Sequence, residues 1–413
     1  MNNTGENLFE FMGVLQKLKD YKRWENTETF IKKESIADHI WKVMVINYTV
    51  HKNLKIDLDL LKIIKLALIH DLAEALTEDI DYNLVYKGIV TPEEKYKKEY
   101  DAINKIKEVL GGETGKEIYN LWLEYEKWES GEVKFVKALE KIEPIDHCIF
   151  YGYSTIDIPE KFAKYCDKSM SKVPELKGFY HLYKTKLKQV FDEGNFEWRE
   201  CYNTKGPFEE FKDFEMIFQF FQTAQKLKET KRYETIKKDE IKDTVSDHSF
   251  RLTFFVWIIV ENLDLKINLQ RALEIAIFHD IVESIAGDTD YSLIYTGVVS
   301  KEEKNKKEIL AMKKIREILP KKIGNQIYEL WDEYEKSETR EAKIVKALDK
   351  LETIDHFIRH GLAYIDNRDR VVIYLNSSIK LCSEIEPIFN IYKEKLKEMY
   401  KNGGFEWKKE YNL

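Results

Sequence analysis

What most constrains this chain is that its text is written twice. Residues of the first half recur 209 positions later with no net insertion: His39 with His248, His70 with His279, His147 with His356, and Trp198 with Trp407. The matched text opens on Gln16-Lys-Leu-Lys and Gln225-Lys-Leu-Lys. It passes through Leu121-Trp-Leu-Glu-Tyr-Glu-Lys and Leu330-Trp-Asp-Glu-Tyr-Glu-Lys, and it closes on Phe196-Glu-Trp and Phe405-Glu-Trp. A period this long excludes a solenoid, whose units run to about 20–50 residues. It predicts two whole domains of one fold, residues 1–204 and 205–413, joined near Thr204-Lys-Gly-Pro207.

Each copy reads as helical. Glu6 to Asp20 carries an apolar stripe at Leu8, Phe11, Met12 and Leu15, the pattern of an amphipathic helix. Ser35 to Val50 and Asp59 to Ala75 are more continuously apolar, as central helices should be. Thr91-Pro92-Glu93-Glu94 combines an N-cap, a first-turn proline and a capping-box glutamate, and Ser300-Lys-Glu-Glu303 repeats the box. The helices that follow should stop near Gly111-Gly112 and before Pro320. Glu113 to Trp128 and Glu132 to Phe150 complete the first core. Gly152 to Pro174 and Leu362 to Asn376 match poorly and read as loops or short helices. The aromatic tails Phe179 to Tyr202 and Ile388 to Tyr411 match again, and should pack back onto one domain or the other. With no convincing period-2 run, the expected fold class is all-α.

Composition narrows the function. Net charge is -7, with Lys and Glu interspersed, so no basic face for a nucleic-acid polymer stands out. No window approaches ~18 uninterrupted apolar residues, and Met1-Asn-Asn-Thr-Gly-Glu lacks the basic then apolar regions of a signal peptide. Cys148, Cys166, Cys201 and Cys382 show no CxxC or zinc-knuckle spacing and read as free thiols in a reducing compartment. A cytoplasmic protein with no membrane association is expected.

The chemistry concentrates in Leu66-Ala-Leu-Ile-His70-Asp71-Leu-Ala-Glu74 and its echo Glu274-Ile-Ala-Ile-Phe-His279-Asp280-Ile-Val-Glu283. Burying a His-Asp pair in such apolar company costs several kcal/mol unless the charges are paired or hold a metal. One copy would be equally well explained by a satisfied core histidine. Two copies with the same further partners point to a site. The first set is His39, His70, Asp71, Glu74, Asp79 and Glu140; the second is His248, His279, Asp280, Glu283, Asp288 and Asp349. Two His and two carboxylates make a mixed N/O shell suited to Mn, Fe, Co, Ni or Zn rather than Mg, with one ion per domain at most. Glu74, one helical turn after His70, should face the same pocket as general acid or base. Asp79 would orient a water or protonate a leaving oxygen. His147 and His356, with Glu143 and Glu352, would either line the substrate pocket or cap a buried polar network, with the network favoured, and Trp122, Tyr125, Trp331 and Tyr334 read as core.

His…His-Asp…Asp, with a Glu three residues after the His-Asp and a nearby Asp, resembles the HD-domain metal-dependent phosphohydrolases. Ser246-Asp-His248, His279-Asp-Ile-Val-Glu283-x-x-x-Gly287-Asp288, Glu302-Glu-Lys, Leu330-Trp-Asp-Glu-Tyr-Glu335 and Val345-Lys-Ala-Leu-Asp349 narrow the likeness to the 5′-deoxynucleotidase branch. The resemblance implies removal of phosphate from (deoxy)nucleoside 5′-monophosphates by a metal-activated water. His39, His70, Asp71 and Glu140, and His248, His279, Asp280 and Asp349, would be ligands; Glu74, Asp79, Glu283 and Asp288 would be acid/base residues. Arg23-Trp24 and Arg232-Tyr233 would contact the nucleotide. Family members of this kind tend to pair, so the two repeats should form a pseudo-dimer within one chain, with further homo-oligomers open.

The first repeat departs from the pattern at two positions. Glu140 stands for the ligand Asp, shifting the ion or bending the helix. Glu78 stands for Gly287, where a positive φ or a close approach is expected. Repeat two is therefore the better candidate for catalysis, and repeat one would be active, altered in specificity or reduced to support. The alternatives are a nucleoside triphosphate or nucleotide-signal phosphohydrolase, and a nucleotide-binding regulatory protein with one or both sites inactive. Ala75 and Ser284 follow the Glu where alarmone hydrolases carry Asp, which weakens the signal-hydrolase reading.

Overall fold

A computed structural model describes residues 4–25, 32–54, 56–80, 84–85, 87–234, 243–365 and 367–412. Among these residues the chain is helical throughout, and the pairing of extended backbone is limited to isolated bridges between Lys22 and Ser35 and between Lys231 and Thr244. Each bridge closes the loop that leads into a repeat's central helix.

Those central helices are Ile36–Asn53 and Val245–Asn262. Ser35 and Thr244 cap them, each in a capping box with Asp38 or Asp247. Every residue from Ile36 to Val50 and from Val245 to Val260 is buried. A helix buried on all sides belongs in the middle of a molecule, and these two lie against each other. Equivalent residues exchange bonds across that contact. Ser35 Oγ donates to Asp247, while Thr244 Oγ1 and Ser246 Oγ both donate to Asp38 Oδ1 at 2.6 Å. Asp38 and Asp247, the acidic residues before the first histidines, therefore cap helices and join the repeats rather than facing a metal. The Trp41 indole donates to the Ile277 carbonyl at 3.1 Å. This reciprocal pairing is the two-fold-like relation expected of fused copies.

The helices Thr4–Asp20, Pro92–Leu110 and Lys301–Ile318 lie where the stripe and capping boxes place them. The aromatic tails pack on both repeats: the Tyr183 hydroxyl donates to Asp146 of its own repeat at 2.9 Å and its ring lies 5.4 Å from Phe214 of the other, while Tyr392 lies 5.9 Å from Phe255 and 5.5 Å from Phe9.

Three segments differ from expectation. Asp59 to Ala75 is not one helix. It comprises Leu60–Ile69, a turn, and the short Glu74–Thr77. The turn keeps helical dihedrals but tightens to i→i−3 bonds, with Leu72 N on Ile69 O at 3.0 Å and Glu74 N on Asp71 O at 3.0 Å. Glu132 to Phe150 is likewise split, into Gly131–Leu139 and Ile142–Tyr151, whereas its copy Arg340–His360 is continuous. Pro144 explains the split: it has no N–H for the Glu140 carbonyl, and Thr353 stands in its place in the second repeat. Finally, most of the segment from Leu362 to Asn376 belongs to a 14-residue helix, Arg368–Leu381, where the first repeat has only short helical turns. Among the described residues no helix is long and apolar enough to cross a membrane.

Candidate metal centres

The apolar helices Leu60–Ile69 and Leu269–Phe278 deliver His70 and His279 at their C-termini. Each ring is fixed by its Nδ1, which donates to Ala67 O at 2.7 Å or Ala276 O at 2.9 Å. A carbonyl only accepts, so Nδ1 carries a proton and Nε2 is the ring atom left to face the pocket. From the central helices, His39 and His248 place Nδ1 2.6 Å from Glu143 Oε2 and Glu352 Oε2. Their Nε2 atoms then face those of His70 and His279 at 3.2 and 3.3 Å. Asp71 Oδ2 lies 3.6 Å from His39 Nε2 and 3.3 Å from His70 Nε2; Asp280 Oδ2 lies 3.9 and 3.0 Å from the matching atoms. In each trio the donor atoms fall within 4.8 Å of one another.

Lone pairs converging in a buried place suit a divalent cation, and the two-imidazole, carboxylate set suits a first-row transition metal. Electrostatics agree. Burial alone would raise the pKa of Asp71 and Asp280, yet His70 and His279 outweigh it and hold both carboxyls well below the usual range.

The fourth expected ligand separates the repeats. Asp349 Oδ1 is 3.2 Å from His248 Nε2, and its other oxygen accepts from the Tyr334 hydroxyl at 2.7 Å. Glu140 approaches the other histidine instead, 3.9 Å from His70 Nε2. Its oxygens are engaged by the Tyr125 hydroxyl and by Lys141 Nζ at 3.1 Å. Burial raises the Glu140 pKa, but Lys141 and then His70 more than reverse this, down to about 2. Lys350, the copy of Lys141, turns instead to Ser377 Oγ at 2.7 Å. Tyr125 and Tyr334 are buried, as a core reading requires, but their hydroxyls hold these carboxylates.

Glu74 and Glu283 are buried beside the trios. Burial, then Asp71 and Asp280, push their carboxyls well above the ordinary range. Asp79 is raised too, chiefly by burial, and Asp288 by the same cause to about 6. Buried carboxyls that hold protons near neutrality are the kind that exchange them in catalysis. Asp79 accepts the Trp24 backbone N–H at 3.3 Å. In the first repeat all these groups line a cavity of about 380 Å³, together with Arg23, Trp24, Lys95, Lys141 and Tyr165.

Arg23 is not an exposed loop residue. Nη1 bonds Glu34 at 2.8 Å and Glu143 at 3.3 Å, and the guanidinium covers the Trp24 ring at 4.7 Å. Trp24 stands 4.7 Å from the His147 ring. In the copy, Arg232 Nη1 lies 3.4 Å from Glu352 and Tyr233 stacks on His356 at 4.8 Å. His147, 3.2 Å from Glu34, thus belongs to the buried polar network, and so does His356, 3.1 Å from Asp243. Glu143 and Glu352 go further than the network assigned to them, since they orient the first histidine of each trio.

Lys95 was missed by sequence reasoning: it bonds Glu99 at 2.6 Å and comes within 3.7 Å of Glu74. Its signal was the shared Glu-Glu-Lys. Tyr165, on the cavity wall, and Tyr374, partly buried near Asp349 and Arg232, were missed because the segments around them have diverged, although they keep the 209-residue shift.

Residues 15–176 and 224–375 both match the family model described as HD domain. A Dictyostelium discoideum protein named 5'-deoxynucleotidase HDDC2 is 38% identical over 146 residues, covering 34% of this chain and 74% of its own. The human protein of that name is 34% identical over 142 residues, covering 33% of this chain and 65% of its own. The Schizosaccharomyces pombe 5'-deoxynucleotidase hdd1 is 35% identical over 161 residues, covering 37% and 76%. Each match spans one repeat's worth of this chain and about two thirds to three quarters of the relative. With a bundle of helices, a His/His-Asp trio in each copy and two matches to one family model, the chain belongs to the HD-domain family, as a phosphohydrolase that carries its domain twice.

Proposed function

We propose that the chain removes phosphate from (deoxy)nucleoside 5′-monophosphates, and that the centre in residues 205–413 carries most of the activity. The observation that supports this best is the convergence of His248 Nε2, His279 Nε2 and Asp280 beside a buried Glu283 whose pKa is pushed well up. His248, His279, Asp280 and Asp349 would hold the ion, as would His39, His70, Asp71 and Glu140 in the first repeat. A bound Mn, Fe, Co, Ni or Zn ion supplies Lewis-acid polarisation of a phosphoryl oxygen and lowers the pKa of water. The protein's own groups do the rest. Glu283 and Asp288 between them take one proton from the attacking water and deliver one to the departing 5′ oxygen, so that phosphate and nucleoside leave in balance. Arg232 pairs with the substrate phosphate, and Tyr233 lies against the nucleoside; Arg23 and Trp24 correspond in the first repeat.

The Glu140–Lys141 pair favours a weaker first centre, because a carboxylate neutralised by its neighbour has less charge to offer an ion. The relatives' names are the support for the nucleotide. The direct test is Glu283→Gln, which keeps shape and the ligand set but cannot accept a proton. Phosphate release should fall about 10²–10⁴-fold with the ion content unchanged. Retained turnover would exclude Glu283 from proton transfer.

A further inference from the structure

Glu143 is fully buried and uses both its oxygens. Oε2 takes the Nδ1 of His39 at 2.6 Å. Oε1 takes the ammonium of Lys228, which also bonds Glu34 Oε2 at 2.5 Å. Lys228 belongs to the other repeat and is itself buried. Arg23 is the cation that the first repeat itself brings to these two carboxylates, so the second positive charge comes from across the repeat boundary. A buried carboxylate that loses its cation shifts towards its remaining partners, and the shift releases the histidine it orients.

We propose that Lys228 is a positioning residue for the first repeat's metal centre, supplied by the second repeat: it holds Glu143 so that His39 stays protonated at Nδ1 and turns Nε2 towards His70 and Asp71. This rests on the reading of His39, His70 and Asp71 as metal ligands.

The reverse arrangement is built differently. Lys19, the copy of Lys228, bonds Asp243 and stays 3.6 Å from Glu352 Oε1. Glu352 is held instead by Arg251 of its own repeat, through Nε at 2.7 Å and Nη2 at 2.6 Å. At the Arg251 position the first repeat has Lys42, which turns away to Asp146 at 3.1 Å. The dependence is therefore lopsided. The first centre needs the second repeat, while the second centre carries its own support.

The test uses the full chain. In a His279→Ala/Asp280→Ala background only the first centre can bind, and Mn²⁺ or Zn²⁺ affinity reads it directly. Lys228→Gln should weaken binding about 10–100-fold, the usual effect of losing a group that orients a ligand. Lys228→Arg should restore most of it. In the complementary His70→Ala/Asp71→Ala background, Lys19→Gln should weaken the second centre by much less. Lys228→Met/Glu34→Gln, which removes one cation with one anion, gives the same readout should the single variant fail to fold. In the metal-free chain, Lys228→Gln should shift the ¹⁵N resonances of His39 and leave those of His248 in place. Unchanged affinity at the first centre, or equal losses at both centres from either lysine, would overturn the proposal. A parent chain that binds no ion would contradict the metal reading, and the proposal with it.

Discussion

Glu78 and Gly287 occupy the same step of the two repeats, just past the short helix that follows the His-Asp turn, and both have positive φ, +61° and +73°. With ψ at 170°, Glu78 sits in a region that essentially belongs to glycine, at a cost of order 1–3 kcal/mol. The expectation that this step needs a positive φ holds; close approach is not the reason, since nothing lies within 4 Å of a Cβ built on Gly287. Resistance by Glu78 is expressed as strain rather than as a different path, because the flanking turn and Asp79 fix the backbone. Glu78→Gly should stabilise the chain by about 1 kcal/mol, after the entropy that glycine gives back; a melting temperature below that of the parent would contradict it. Glu140 is the second residue-scale departure. Shortening it, as Glu140→Asp, should free the carboxylate from Lys141 and raise the ion affinity of the first centre about tenfold, read in the His279→Ala/Asp280→Ala background. No gain would mean that Pro144 and the broken helix, rather than side-chain length, set the first centre apart.

At the scale of elements, the duplication and the 3.6-residue periodicity made the helices, their caps and the converging histidines legible. Thr91 and Ser300 act as caps because their hydroxyls have a backbone donor within reach, which sequence alone shows. The break at His70 to Ala73 was not legible, since no Gly or Pro marks it, His and Asp disfavour helix only mildly, and the tightening answers to packing. The break before Ile142 could have been read from Pro144. The tyrosine hydroxyls on Glu140 and Asp349 were hidden because a buried Tyr at helical spacing looks the same whether its oxygen is idle or engaged. The lysines that cross between repeats were out of reach for another reason. A shift of 209 shows which residues are equivalent, but not which copy each one faces.

At the scale of the molecule, the interface is a buried charge network whose acids fall into two groups. Glu34, Glu143, Asp243 and Glu352 are held below their ordinary range by Lys228, His356, Arg251 and their other basic partners despite burial, Glu143 to about 2. Their folded pKa values are depressed, so their stabilisation is complete above the unfolded values near 4 and is lost as pH falls below them. For Glu143 alone this is roughly 3 kcal/mol. Asp247 is raised to about 7 by burial and then by Asp38 across the repeat contact, and Asp288, outside the interface at the second centre, is raised to about 6. The folded chain takes up those protons first, so stability grows as pH falls from about 7 towards 4. The metal-free chain should therefore melt highest near pH 5 and lose stability steeply below 4, as a pH series of thermal melts would show. A melting temperature that rises steadily from pH 5 to 8 would contradict this account of the interface.

Phosphate release from a panel of deoxy- and ribonucleoside mono- and triphosphates tests the central claim most directly. It would be run with Mn or Co on the intact chain, on His70→Ala/Asp71→Ala and on His279→Ala/Asp280→Ala. Release from deoxynucleoside monophosphates, reduced slightly in the first variant and mostly lost in the second, is the expected result. No release from any nucleotide by a chain with its ions demonstrably bound would contradict the assignment.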